Sequence, residues 1–201
     1  ALKLKRQWVG NVFVSPASNG KNGCVVLCNK VLDIQVRSQH MDEEGRWIII
    51  ELIVNKIPIT ICNVYGPNIN DFTFWPNVLK KLLEFKDDYL LMGGDCNQVM
   101  DSFIDRKSLA KFIPNKMNKQ FKLFVSHTPL IDTWRIFNPD AREYSFFSSS
   151  HISHSRLDYI FANNALFQHL THSEIGSILI SDHAPIISDF DLIPFQKSSS
   201  C

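Results

Sequence analysis

No apolar run in this chain approaches the ~20 residues a membrane-crossing helix needs, and no signal segment opens it. A soluble intracellular protein, nuclear or cytoplasmic and without a membrane partner, is therefore expected. Charge of one sign is also missing. The 21 Lys and Arg residues stand against 20 Asp and Glu, so any contact with a polyanion must rest on a local patch. The candidates are Lys3, Lys5 and Arg6, and the run Arg106, Lys107, Lys111, Lys116, Lys119 and Lys122, which reads equally well as a solvated helix face. Cysteine is sparse and odd in number: Cys24, Cys28, Cys62, Cys96 and Cys201 form no Cys-x-x-Cys pair. That excludes a disulfide framework and fits a reducing compartment, with Cys24 and Cys28 as buried thiols on one strand face rather than metal ligands. There is no internal repeat, no linker and no low-complexity block beyond small serine clusters. No methionine opens the chain, so Ala1 reads as a cut within a basic segment.

What is present suits one compact domain over residues 1–194 with a tail at 195–201, since 45% of residues are hydrophobic and 20% charged. Gly23 to Asn29 reads as a strand, and Trp47 to Val54 and Ile57 to Tyr65 form a hairpin around Asn55-Lys56. Asn70 to Phe85 switches to helical spacing, with Phe74, Val78, Leu79, Leu82 and Leu83 on one side and Asp71 as its cap. Tyr89 to Met92 is an apolar burst ended by Gly93-Gly94, a central strand delivering Asp95 to a loop. Asn115 to Phe124 is an amphipathic helix, and Leu130 to Trp134 a short buried segment. Tyr144 to Phe147 and Leu157 to Phe161 read as two strands joined by a polar tip, Ser148 to Ser155. A helical stretch near Asn164 to His169 precedes strands at Glu174 to Ile178 and Pro185 to Leu192.

Four of these segments stop at a polar residue: Asn63-Val64-Tyr65-Gly66-Pro67-Asn68, Gly94-Asp95-Cys96-Asn97, Arg156-Leu157-Asp158-Tyr159 and Ser181-Asp182-His183. If the strands are neighbours, their ends line a cleft holding three carboxylates, an amide, a phenol and an imidazole. Phosphodiester hydrolysis needs that inventory: carboxylates for a hard cation, a histidine for the attacking water, and a phenol or amide for the charged phosphorane. Each residue alone has a plainer reading. Asp95 can be a turn residue, Asn97 a loop cap and Tyr65 a packed strand end. Asp158 between apolar neighbours is harder to dismiss, because buried carboxylates want partners. Glu43 and Glu44 sit in a Gly-containing turn and read as solvated, and His40, His127, His151, His154, His169 and His172 as loop or helix-end residues.

The order of Asn63 to Asn68, Gly93 to Asn97, Asp105-Arg106, Tyr144 to Phe147, Ser155 to Ile160 and Ser181 to His183 resembles the endonuclease domain of non-LTR (LINE-type) retrotransposon polyproteins, from about Leu2 to Leu192. That domain is of the endonuclease/exonuclease/phosphatase superfamily, with deoxyribonuclease I and the apurinic/apyrimidinic endonucleases. The resemblance implies an α+β fold, a deoxyribonuclease I-like two-sheet β-sandwich flanked by helices. It also implies a monomer that nicks DNA to leave a 3′ hydroxyl, with Mg²⁺ or Mn²⁺ as cofactor and a reverse transcriptase domain in the parent polyprotein. Carried over by residue, Asp95, Asn97 and Tyr65 bind and support the scissile phosphate. His183, oriented by Asp158, is the base or transition-state stabiliser, and Asp182 completes the metal and phosphate site. Arg106, Ser145, Ser155 and Ser181 match positions that contact DNA.

One departure bears on activity. The family opens with a strand carrying an asparagine, a helix, and a strand ending in Gln-Glu-Thr whose glutamate is the main metal ligand. Nothing in residues 1–22 resembles these, and Glu43 and Glu44 fall in the wrong hairpin to substitute. An N-terminally truncated and impaired domain is therefore expected. A phosphatase or phosphodiesterase of the same superfamily, and an inactive nucleic-acid-binding remnant, are the alternatives.

Overall fold

A computed structural model describes residues 7–17, 22–68, 71–85, 89–109 and 113–192. Lys3, Lys5, Arg6, Asn70, Lys111 and the expected tail lie outside them. The elements in chain order are β1 (Gly10–Ser15), β2 (Cys24–Asn29), β3 (Ile34–Met41), β4 (Trp47–Val54), β5 (Ile57–Tyr65), α1 (Phe74–Leu82), β6 (Tyr89–Asp95) and β7 (Arg106–Lys107). There follow α2 (Lys116–Ser126), β8 (Leu130–Asp132), α3 (Thr133–Phe137), β9 (Phe146–Ser148), β10 (Ser153–Ser155), β11 (Asp158–Asn163), α4 (Asn164–Phe167), β12 (Leu170–Ile175) and β13 (Ile186–Phe190).

The centre is a six-stranded sheet in the order β3-β4-β5-β6-β11-β8. Its β4–β5 hairpin closes on Asn55 and Lys56 at φ 49° and 71°, the two positive values that a type I′ turn requires. Among the described residues only β5 and β6 pair in parallel, which demands a crossover, and α1 supplies it. Period-2 alternation then sorts the side chains onto two faces. On one, Ile49, Cys62, Val64, Met92 and Phe161 pack beneath α1 and α2. There the Trp75 ring lies 4.7 Å from Phe121 and 5.0 Å from Phe124. On the other, Ile48, Ile50, Leu52, Ile59 and Tyr89 pack against Phe13, Cys24 and Cys28 of the β1–β2 ribbon, with Phe190 of β13 at the margin. This second layer consists of two separate antiparallel ribbons, β1–β2 and β12–β13, and the fold is the expected α+β sandwich with flanking helices.

Several local expectations are corrected. Helix α1 starts at Phe74 with Thr73 as N-cap and no side-chain cap bond. Asp71 instead accepts from the Thr73 amide and hydroxyl, closing the turn before the helix. Leu83, assigned to the buried side, is exposed just past the helix end. Strand β6 runs through Gly93-Gly94, so Asp95 is its last residue and not part of a loop. Thr133 and Trp134 are helical, because Asp132 caps α3 by accepting from the Arg135 amide. The Leu157 to Phe161 segment does not pair with Tyr144 to Phe147. β9 pairs with β10, and β11 enters the central sheet between β6 and β8. The expected strand at Glu174 to Ile178 lies earlier, as β12.

Candidate active site

Cross-strand register builds the site. Tyr65 is the Cα partner of Asp95 across the parallel β5–β6 pair, and Asp95 is the partner of Asp158 across the antiparallel β6–β11 pair. Three polar strand ends thus form one row at one end of the sheet. In β6 and β11 the parity of Asp95 is that of Leu91, and the parity of Asp158 that of Ala162, both in the cluster on the ribbon side. The two carboxylates therefore share the face opposite the helices. Gly94 makes the row possible. Its φ is +133°, and a Cβ there would run into the Val64 carbonyl.

Asp95 is tied down locally. Its Oδ1 accepts from the Asn97 amide at 2.8 Å and its Oδ2 from Asn97 Nδ2 at 3.2 Å. Asn97 occupies the left-handed region at φ 52°, which a short amide side chain tolerates. Its Nδ2 also donates to the Gly66 carbonyl at 2.8 Å, joining the Asn63 to Asn68 and Gly93 to Asn97 motifs.

The fourth segment closes over this row. Ala184 donates to the Ser145 carbonyl at 2.7 Å and Phe147 to the Asp182 carbonyl at 3.0 Å. Ser181 forms a local turn, its hydroxyl accepting from the His183 amide and donating to the His183 carbonyl, each at 3.0 Å. His183 is thereby placed with Nδ1 2.8 Å from Asp158 Oδ2, and Phe146 packs its ring 4.7 Å from the imidazole. Asp158 holds the His183 proton affinity above its ordinary value against the opposing effect of burial, with Asp95 and Asp182 adding to the upward pull. Burial, then the charge of Asp158, pushes the Asp95 carboxyl up to about 6, opposed by the Asn97 amide and His183. One donor atom each from Asp95, Asp158 and His183 lies within 4.8 Å of the other two, a group that could hold a metal ion. Asp182 is exposed and outside that group, though its charge reaches both Asp95 and His183.

The residues expected to contact DNA are scattered in burial. Ser181 is exposed, Arg106 is half-buried on β7, and Ser155 is buried opposite it on β10. Ser145 is fully buried, and its hydroxyl accepts from the Leu157 and Asp158 amides, both at 3.0 Å. That arrangement holds the Asp158 backbone, a task that sequence reasoning missed. It also missed an ionic network behind the site. Arg156, only 1% exposed, places Nε 2.8 Å from Asp105 Oδ1 and Nη1 2.6 Å from Asp132 Oδ2. Arg135 Nη2 shares the same oxygen, Asp105 Oδ1, while Arg156 Nη2 donates to Asp105 Oδ2. The available signal was the placement of Arg156 among strand residues, since a buried guanidinium must have carboxylate partners. The described cysteines are free and buried, and burial raises the Cys24 thiol to about 12, as the reading of inert thiols expects.

This constellation has known counterparts. Residues 2–183 match the Endonuclease/Exonuclease/phosphatase family. The chain belongs to that family. A curated relative is the uncharacterized 149 kDa protein of transposon TX1 from Xenopus laevis, 25% identical over 185 residues. Those residues cover 88% of this chain but only 14% of that protein. Among solved structures, the AP endonuclease LMAP of Leishmania major superposes with a TM-score of 0.69 at 18% identity, covering 88% of this chain and 68% of that one. An AP endonuclease from Archaeoglobus fulgidus gives 0.65 at 18%, covering 79% and 72%. The 3′ phosphatase NExo of Neisseria, solved with a product DNA hairpin, gives 0.61 at 19%, covering 85% and 75%. At such identities the likeness is one of fold. No helix of the described residues is long and apolar enough to cross a membrane.

Proposed function

We propose that this chain is a retrotransposon-type DNA endonuclease domain that hydrolyses a phosphodiester with a divalent cation, Mg²⁺ or Mn²⁺, and leaves a 3′ hydroxyl. The observation that carries the reading is the row of Tyr65, Asp95 and Asp158 with His183 bonded to its last member. His183 is the base. With Nδ1 held by the Asp158 carboxylate, the neutral ring keeps its proton there and presents Nε2 to a water. The proton leaves the water for Nε2 as the water oxygen attacks phosphorus and the P–O3′ bond breaks, and the departing 3′ oxygen takes its proton from solvent water to become the hydroxyl. Tyr65 flanks the position of the phosphate, where its phenol can donate to a phosphate oxygen, and Asn97 would donate one Nδ2 hydrogen there by releasing its longer, 3.2 Å bond to Asp95.

The residues present fit a hard cation. Asp95 and Asp158 oppose two carboxylates across adjacent strands, and burial together with that opposition raises the Asp95 carboxyl. Both offer the oxygen donors Mg²⁺ prefers, and Asp182 stands beside them. Bound there, the cation supplies charge stabilisation for the phosphorane. No Gln-Glu-Thr segment occurs within these 201 residues, so nicking by this chain alone is expected to fall at least ~10³-fold below that of a chain carrying one. DNA as the target and a reverse transcriptase as partner are carried over from the LINE-type resemblance, and the similarity to a transposon protein supports that reading.

The test is Mg²⁺-dependent nicking of supercoiled plasmid, followed by extension of the nick with a DNA polymerase. Nicked product that primes extension supports the reading. Phosphate release from a 3′-phosphorylated oligonucleotide without nicking favours the phosphatase alternative. DNA binding with neither reaction, even after a Gln-Glu-Thr segment is restored, favours the inactive remnant.

A further inference from the structure

The segment between β12 and His183 is anchored at both ends and apolar in the middle. At its base Gly176 donates to the Pro185 carbonyl at 2.8 Å, and at its far end the Asp182 carbonyl accepts from Phe147. Between these anchors Ile178 is 39% exposed, Leu179 83% and Ile180 101%. Isolated exposed apolar side chains are ordinary, but three in a row beside the candidate base form a patch that water does not favour. Connecting loops are normally polar, and apolar residues kept at a loop tip call for a partner surface.

We infer that Leu179 and Ile180 form a wedge that enters the base stack of duplex DNA beside the scissile phosphate and selects deformable steps. The inference rests on the endonuclease reading, because it is the phosphate at His183 that brings duplex to this loop. Position decides the occupant. Three residues of extended chain span at most ~11 Å, so Ile180 reaches only about three base steps of ~3.4 Å from His183. A branched apolar side chain at that reach has no charge with which to hold a phosphate. It can lodge between bases, as Leu and Ile wedges do in kinked duplexes. The energy of unstacking depends on sequence and is smallest at TA and CA steps, so the wedge becomes a specificity determinant without reading a base edge.

The experiment uses the full 201-residue chain, a doubly substituted chain carrying L179S and I180S, and a control carrying L123S. Leu123 is likewise exposed but lies on α2, on the helix side of the sheet. Duplexes with 2-aminopurine at each of the three steps on either side of a TA step are bound without divalent cation. The parent and the control should raise the fluorescence at one position at least ~3-fold, and the double variant should not. Equal signals in all three chains, or no signal in the parent, overturn the wedge. In the presence of Mg²⁺, the ratio of nicking at TA steps to nicking in A-tracts should fall at least ~5-fold in the double variant. An unchanged ratio also overturns it. Unstacking by the parent without nicking, even once a Gln-Glu-Thr segment is restored, leaves the wedge standing and removes the endonuclease reading, so the two failures are distinct.

Discussion

The two faces of the central sheet solve the same burial problem differently. Under α1 and α2, aromatic rings from two helices interlock over Ile49, Cys62 and Met92, and nothing chemical is left showing. On the other face two ribbons cover β4, β5 and β11, and the Asp95–Asp158 pair and His183 lie at the end of that layer. The helix face is built for packing energy and the ribbon face for access. Polar groups that oppose one another, which packing alone would eliminate, survive only on the second.

Substitution should separate the faces. In a chain with the Gln-Glu-Thr segment restored, His183→Ala removes the proposed base and should lower nicking by ~10²- to 10⁴-fold with little change in thermal unfolding, because the ring is only half-buried. Trp75→Ala should do the reverse. It empties a site that is fully buried between Phe74, Phe121 and Phe124, so a loss of about 3–5 kcal/mol in urea unfolding is expected, with nicking per folded molecule unchanged. Comparable loss of activity per folded molecule in both variants would dissolve the contrast.

Much of the site was legible in the sequence because it lies at strand ends, where an apolar run stops at a polar residue. Register then did what sequence could not show, setting Tyr65, Asp95 and Asp158 in one row. The fold was less legible where pattern is weak. Strand β3, Ile34–Met41, is an edge strand with Gln35, Arg37 and Gln39 exposed, and its composition carries little apolar alternation. The Phe146 to Phe161 region misled for a different reason. Both of its apolar runs are strands, but alternation does not name a strand's partner, and buried Arg156 turns the chain from the β9–β10 hairpin into the central sheet.

Ser145 tests whether the ribbon face is positioned as carefully as the helix face is packed. Its hydroxyl holds the Leu157 and Asp158 amides, and its carbonyl holds Ala184 beside the base. Ser145→Ala leaves two amides short of an acceptor, for an expected cost of about 1–3 kcal/mol. If Ser145 positions the Asp158–His183 pair, the variant should also shift the acid limb of the pH profile of kcat/KM. His183 has a raised proton affinity and accepts a proton from water only when neutral, so activity rises with pH through a value above 6.5. Loosening the Asp158 bond should move that limb down toward 6.5. Lost stability with an unmoved limb would leave Ser145 a structural residue only.

The smallest expected effect isolates the opposed carboxylates. Asp95 binds its proton more tightly in the folded chain, at about 6, than at its ordinary 3.8. A native state that holds more protons than the unfolded one loses stability as pH rises, so folding weakens between about pH 4 and 6 and stays weaker above. His183 runs in the same direction at higher pH. Its raised affinity contributes stability that is complete below 6.5 and lost as pH climbs through the folded value. Asp95→Asn keeps an oxygen for the Asn97 amide but carries no charge. The variant should therefore be more stable than the parent at pH 7 by about 1–2 kcal/mol, since a tenfold change in proton affinity is worth ~1.4 kcal/mol and solvent screening discounts it. That advantage should vanish near pH 4. Mg²⁺ should close the gap from the other side. A cation between Asp95 and Asp158 stabilises the parent by mass action and has one fewer carboxylate to bind in the variant. Chemical unfolding of both chains at pH 4 and 7, with and without Mg²⁺, measures each chain in all four conditions. A parent as stable as the variant at pH 7 without the cation would mean that the carboxylates are not in opposition, and the ribbon face would then be as relaxed as the helix face.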